Sequence, residues 1–289
     1  MNITKPNISR NDHSSMWNMN LRMNQGYTLY KGAWIWKRGP HLEEELPSQE
    51  RKKLLSSGGL FIRNIYNFDK PEETYFWYII KDHFGGMQEI PSKYRSNIRK
   101  ALDALEIKKI SKEQLLNEGY EVHKKAAESY KVKTDVPTVE EFKQHINSQD
   151  SDFEYWGCIM KDTGKLIAYA ANLIVDNSVD YQTMKFHPDY LSMYHPSYGL
   201  IYEMNRYYLE EKKMLFVNDG TKSLTNHSGI QPFLMQKFKF RKAYCDIRIF
   251  YQPWFGIAVK TLFPFRRWIS NRKIAAILRQ EAWARGLNE

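Results

Sequence analysis

Asp219 follows a short apolar run over 214–218 and precedes Gly220. A carboxylate at a strand end facing a cleft can take a proton as a general base, and Tyr244 or Tyr198 can supply the matching acid. Asp-Gly after a strand is also ordinary turn chemistry. A second group is basic: Lys93, Arg95, Arg99 and Lys100, with Asn97 among them. Arg95 and Arg99 stand four residues apart, so a helix places them on one face. Such a face can hold the phosphates of a nucleotide-linked substrate, tRNA or a lipid-linked sugar, arginine through paired hydrogen bonds. It can equally be a solvated helix surface. A third group is the turn from His187 to Gly199, which contains Pro188 and Pro196. Ser197 is placed to cap the helix that follows, and free N–H groups at a helix start suit an anion.

These residues need elements to position them. Alternation predicts a strand over 179–186, and the two-proline turn leads to an amphipathic helix over about 198–211. A short strand over 214–218, a helix near 230–236 and a strand over 243–251 complete the stretch. Upstream, 27–37 reads as a strand or hairpin. A short helix after Pro47 ends at Gly58-Gly59, and strands follow over 60–68 and 74–81. The basic residues fall on a helix over 92–105, before a short strand over 106–110. Ser111 is a good cap for a helix reaching Tyr130, and Pro137 stands near the start of another running through Ile146. Strands over 153–160 and 166–175 form a hairpin about Lys161-Asp162-Thr163-Gly164. Residues 1–24 are polar and rich in asparagine, with Trp17 the one large ring; they suit a mobile arm or a short surface helix.

Length and composition narrow the classes. The chain has 289 residues, enough for one large or two modest domains. A net charge of +10 favours anionic partners such as nucleic acid, phosphate-bearing cofactors or an acidic membrane surface. Cys158 and Cys245 lie in apolar strands and read as reduced core residues of a cytosolic protein. No closely spaced Cys and His residues suggest a metal, and no P-loop, dinucleotide glycine run or evident catalytic triad occurs. There is no signal-peptide core, and no apolar run reaches the ~18 residues of a membrane span.

Four local runs carry a family resemblance. His187-Pro188-Asp189-Tyr190 and Lys237 to Lys242 (with Lys239 where glycine is usual) resemble the acyl-donor half of GNAT N-acyltransferases. The segment from Pro196 to Leu200 and the run from Pro91 to Lys100 resemble the FemAB/peptidoglycan-bridge and BioF2-like branch of that fold. The resemblance covers about 92–253. It implies an α/β, GNAT-like mixed sheet flanked by helices, and an N-acyltransferase acting on an amine of a cell-envelope or sugar-linked acceptor. It also implies a division into a reduced, mostly β first lobe (1–90), the acyltransferase domain (91–255) and a basic C-terminal helical tail (256–289).

By the same resemblance, the strand around Lys185 and Phe186 pairs with the amides of a pantetheine arm, while Ser197, Tyr198 and Gly199 meet the donor's phosphates. Lys93, Arg95, Asn97 and Arg99 face the acceptor. Lys237 lies near the transferred group, where it can stabilise an oxyanion. The usual pyrophosphate glycine signature is absent and only Gly199 could stand in it, so acyl-CoA, aminoacyl-tRNA and an acyl-carrier protein all remain as donors, with no metal. The contrasting reading is a non-catalytic GNAT-like module binding RNA or an anionic surface. Phe263, Phe265, Trp268 and Ile269 stand beside Arg266, Arg267, Arg272 and Lys273, so the tail either lies on a membrane, at its inner face, or docks on the protein through its Ile and Trp residues.

Overall fold

The computed structural model of the chain describes residues 23–24, 26–43, 45–130, 136–222 and 229–288. Most of the N-terminal arm considered above lies outside them. Strands β1 (Met23–Asn24), β2 (Tyr27–Tyr30) and β3 (Ala33–Trp36) lead through helix α1 (Ser48–Ser56) to β4 (Phe61–Lys70) and β5 (Phe76–Lys81). Helices α2 (Gly86–Glu89) and α3 (Ser92–Ala104) precede β6 (Leu105–Ile110). Helices α4 (Lys112–Glu128) and α5 (Val139–Asn147) precede the meander β7 (Phe153–Met160), β8 (Leu166–Val175) and β9 (Ser178–Phe186). Then come α6 (Leu191–Tyr194), α7 (Pro196–Asn205), β10 (Phe216–Thr221), α8 (Ile230–Phe238) and β11 (Arg241–Tyr251). Helices α9 (Pro253–Leu262) and α10 (Arg272–Ala284) close the chain.

Among the described residues, eleven strands form one mixed sheet in the order β1-β2-β3-β4-β11-β5-β10-β9-β8-β7-β6. Strands β3 and β4 run parallel, as do β9 and β10; the other neighbours are antiparallel. The fold class expected from the sequence is therefore the one observed. The last long strand, β11, inserts between β4 and β5, so the early and late parts of the chain share one ladder.

Helices cover both faces. On one, Ile98 and Ala101 of α3, Leu200, Ile201 and Met204 of α7, and Leu234 and Phe238 of α8 pack on Ile79, Cys158, Ala170 and Val217. On the other, Leu115 and Val122 of α4 and Phe142 of α5 pack on Tyr155, Tyr169 and Ala171. Ser111 caps α4 by accepting from the Gln114 N–H at 3.0 Å. Thr138 and Glu141 form a reciprocal capping box at the start of α5. Helix α7 continues as a π-helical turn over Arg206–Glu211, where Tyr208 accepts from Trp156 Nε1 at 2.9 Å. Lys81 of β5, buried, pairs with Glu89 of α2 at 2.9 Å and so fixes the segment leading into α3. Both cysteines are free and buried.

Candidate active site

The sheet opens where β9 and β10 part. Their parallel pairing covers three positions, Phe216 opposite Ser178, Val217 opposite Val179 and Asn218 opposite Asp180. Beyond that, β9 stays with β8 as far as Phe186 opposite Ala168. Strand β10 instead bulges between Asn218 and Thr221 and joins β5, with Thr221 opposite Tyr78. A wedge results between 181–186 and 219–221. Along it, the β9 edge that faces β10 has no ladder partner among the described residues, while the other edge stays paired with β8. Backbone N–H and C=O groups on such an edge can pair with an extended ligand that carries amides.

Asp219 lies in the bulge. The sequence suggests a strand ending at Asn218 and a turn at Asp219-Gly220; instead both residues belong to β10, because Thr221 resumes pairing with β5. Buried Asn218 secures the bend: its Nδ2 donates to Val179 O at 3.0 Å and its Oδ1 accepts from Gly220 N at 3.0 Å. Gly220 takes φ +76°, a value that side chains disfavour. A bulge re-aims the side chain it contains. Here the Asp219 carboxyl is pushed up to about 8, by burial first and the charge of Asp180 second. Burial pushes Asp180 up to about 6, while a hydrogen bond from Gln182 Nε2 at 3.3 Å opposes the rise. Near neutral pH, Asp180 is thus mostly charged and Asp219 mostly protonated. A carboxyl that titrates this close to the working pH is well matched to proton transfer.

Helix α7 follows β9 through α6, and its start differs from the expectation. Ser197 is not the cap. The helix starts one residue before it, at Pro196, and His195 precedes it in the left-handed conformation at φ 49° with no side-chain cap bond. The missing N–H and fixed φ of proline suit a first helical position, which moves Ser197 inside the first turn. Gly199 has a packing role: a Cβ there would lie 2.5 Å from Ile107 Cδ1 and 2.8 Å from Ala101 Cβ. Helix α7 therefore crosses α3 and β6 too closely for a larger residue. Tyr198 sits among rings, with centroids 5.1 Å from Phe233 and 6.1 Å from Tyr94.

A cationic group gathers where α3, α7 and α8 meet. Lys237 Nζ lies 3.5 Å from the Tyr94 ring centroid, and Lys93 Nζ lies 5.0 Å from it. Hydrogen bonds from Lys237 and then Lys93 pull the Tyr94 phenol below its ordinary value. Burial, and then the charge of Lys100, lower His195 in turn. The basic helix is thus divided. Arg95 is used locally, donating to Ile90 O at 2.7 Å and Gln88 O at 2.9 Å. Arg99 is exposed and Asn97 half-buried on the same helix. Lys239 follows α8 at φ 60°, so the position where glycine is usual is a left-handed helix end.

The remaining candidates are placed apart from these groups. Phe186 packs partly on the α3–α7–α8 core. Lys185 turns to Tyr130, donating to its hydroxyl at 2.9 Å. Tyr244 donates to Glu73 at 2.9 Å, on a strand separated from β10 by β5. Helix α8 links the acidic and cationic groups, since Gln231 Nε2 at its start donates to Thr221 O at 2.8 Å and Lys237 lies in its last turn. Asp180 and Tyr94 escaped the reading of the sequence. An acid between the buried Val179 and Tyr181 of a strand is a signal for Asp180, and Tyr94 stands within the basic run itself. No cluster of three or more His, Cys, Asp or Glu side chains suited to a metal occurs among the described residues.

No family model matches the sequence, and no curated protein matches it. Solved structures do share its fold. FemX is 12% identical with a TM-score of 0.54, over 82% of this chain and 84% of that one. A domain assigned as the C-terminal (DUF2156) part of a lysylphosphatidylglycerol synthetase from Agrobacterium fabrum is 11% identical with a TM-score of 0.49, over 82% and 84%. A tandem GNAT protein from the clavulanic acid biosynthesis pathway is 10% identical with a TM-score of 0.39, over 70% and 67%. The chain shares the fold of FemX.

Proposed function

We propose that the chain is an N-acyltransferase, moving an acyl or aminoacyl group from an ester or thioester donor to an amine on a cell-envelope or sugar-linked acceptor. The observation that carries this reading is the wedge between β9 and β10 with Asp219 in its bulge. The donor lies along the free edge of β9, near Lys185 and Phe186, with its phosphates toward Ser197 and Tyr198. The acceptor approaches from the side of Lys93, Asn97 and Arg99, while Arg95 holds the loop before α3. Residues 91–255 do the chemistry, with 1–90 as a reduced first lobe.

The amine nitrogen attacks the donor carbonyl carbon, forming a C–N bond. Asp219, as carboxylate, takes the proton the amine loses. Collapse of the tetrahedral intermediate breaks the C–O or C–S bond, and Tyr198 returns a proton to the leaving group. Lys237, with Lys93 beside the Tyr94 ring, holds an anionic group of the bound substrate. Holding both substrates in register supplies much of the acceleration.

The test is product formation from labelled acyl-CoA thioesters, acyl-carrier proteins and aminoacyl-tRNAs with amine acceptors. Transfer from one donor class, lost in Asp219→Asn, is the expected result. No transfer from any class, together with salt-sensitive RNA binding, would replace this reading with the non-catalytic module.

A further inference from the structure

Residues 252–280 hold six basic side chains, Lys260, Arg266, Arg267, Arg272, Lys273 and Arg279, and no acidic one. The fold gives this tail two faces. Val259 of α9 points inward and packs with Phe263, Leu278 and Ala282. At 3.6 residues per turn, Trp254 and Ile257 then fall on the opposite side of α9. They are 63% and 67% exposed. Phe265 and Trp268 lie in the 3-10 turn over Phe263–Trp268, 50% and 81% exposed, with ring centroids 6.0 Å apart. Docking of the tail on the protein and an apolar outer face are therefore compatible, because different residues serve each.

Scattered exposed apolar side chains are normal; large rings gathered among cations with no acid between them mark an interaction surface. We propose that this face docks on an anionic lipid bilayer. Trp254, Ile257, Phe265 and Trp268 enter the headgroup level, where large rings are favoured. Lys260 and Arg267, both exposed, meet the lipid phosphates. Charge selects this occupant over a second copy of the chain, since a symmetric pair would bring the same cations face to face. No helix among the described residues is long and apolar enough to cross a membrane, so α9 lies on the bilayer. The inference is independent of the acyl-transfer reading.

Flotation of the full chain tests it, using phosphatidylcholine vesicles with and without phosphatidylglycerol. Binding to the anionic vesicles alone, weakening with salt, is expected. Lys260→Gln and Arg267→Gln should each weaken it about fivefold, and Trp254→Ser/Trp268→Ser by about tenfold or more. All four positions are exposed, so circular dichroism and Tm should match wild type; the charge variants keep the test decisive should the double tryptophan variant fold poorly. Absence of flotation, or equal flotation of wild type and all variants, overturns the proposal. So does a concentration-dependent dimer that Trp254→Ser/Trp268→Ser dissolves while vesicle binding is nil.

Discussion

At the start of α8, Gln231 holds Thr221 of β10 beside two carboxyls that burial pushes up, Asp219 to about 8 and Asp180 to about 6. In its last turn, Lys237 covers the ring of Tyr94 with exposed Lys93 alongside. The two ends use charge differently. Enclosure at the first makes protonation responsive to pH near neutrality, which suits a group that must take a proton. Access to solvent at the second leaves the ammonium groups within reach of a ligand, which suits holding an anion. Proton transfer and anion binding are thus separated along one helix, and perturbing each end should give a different kinetic signature.

The sharpest contrast comes from Asp219→Asn, which should lower kcat by about 100-fold or more with KM for the donor nearly unchanged. Unaltered turnover would remove Asp219 from the chemistry. The same variant has a stability signature. The folded value lies above the unfolded value near 4, so the folded state keeps the extra proton. That contribution is complete below about pH 4 and is lost as pH rises through about 8. Asp219→Asn abolishes the loss, so its Tm advantage over wild type should grow across that window in calorimetry.

Gly199→Ala tests how the cationic end is assembled. The added methyl meets Ile107 and Ala101, so about 1–3 kcal/mol of stability should be lost in denaturant titration. Donor KM should rise as α7 shifts against α3. A variant as stable as wild type would show that the helices can part without cost. Next in size, Lys93→Ala/Lys237→Ala should raise KM by about 5–10-fold with little change in kcat, and the difference should shrink at high salt. A fall in kcat instead would move Lys237 to the oxyanion and erase the division between the two ends. The smallest effect is expected from Lys239→Gly. Relief of the left-handed strain should add about 1 kcal/mol and leave kinetics unchanged, because the exposed residue lies just past the end of α8.

Much of this was legible in the sequence, and the failures have physical causes. The hairpin over 153–175, the cap at Ser111 and the basic helix all depend on local pattern, and all are found. Insertion of β11 between β4 and β5 depends on pairings some 180 residues apart in the chain. The bulge at Asp219 exists because Thr221 finds Tyr78 on another strand, so the local Asp-Gly signal for a turn misleads. Ser197 resembles a cap by type, yet proline at the first position and a left-handed His195 move the boundary. Gly199 fits a phosphate motif by letter, whereas its lack of a side chain meets a need that appears only when α3 and β6 are packed beside it. Lys239 is the reverse case: the geometry favours glycine and the chain carries lysine.

The most direct measurement is the titration of Asp219 by carbon-detected NMR of labelled carboxyl groups, in wild type and in Asp180→Asn. The account predicts a midpoint near 8 that falls when the Asp180 charge is removed. A midpoint near the ordinary carboxylate value, unmoved by Asp180→Asn, would contradict it and leave the wedge without its base.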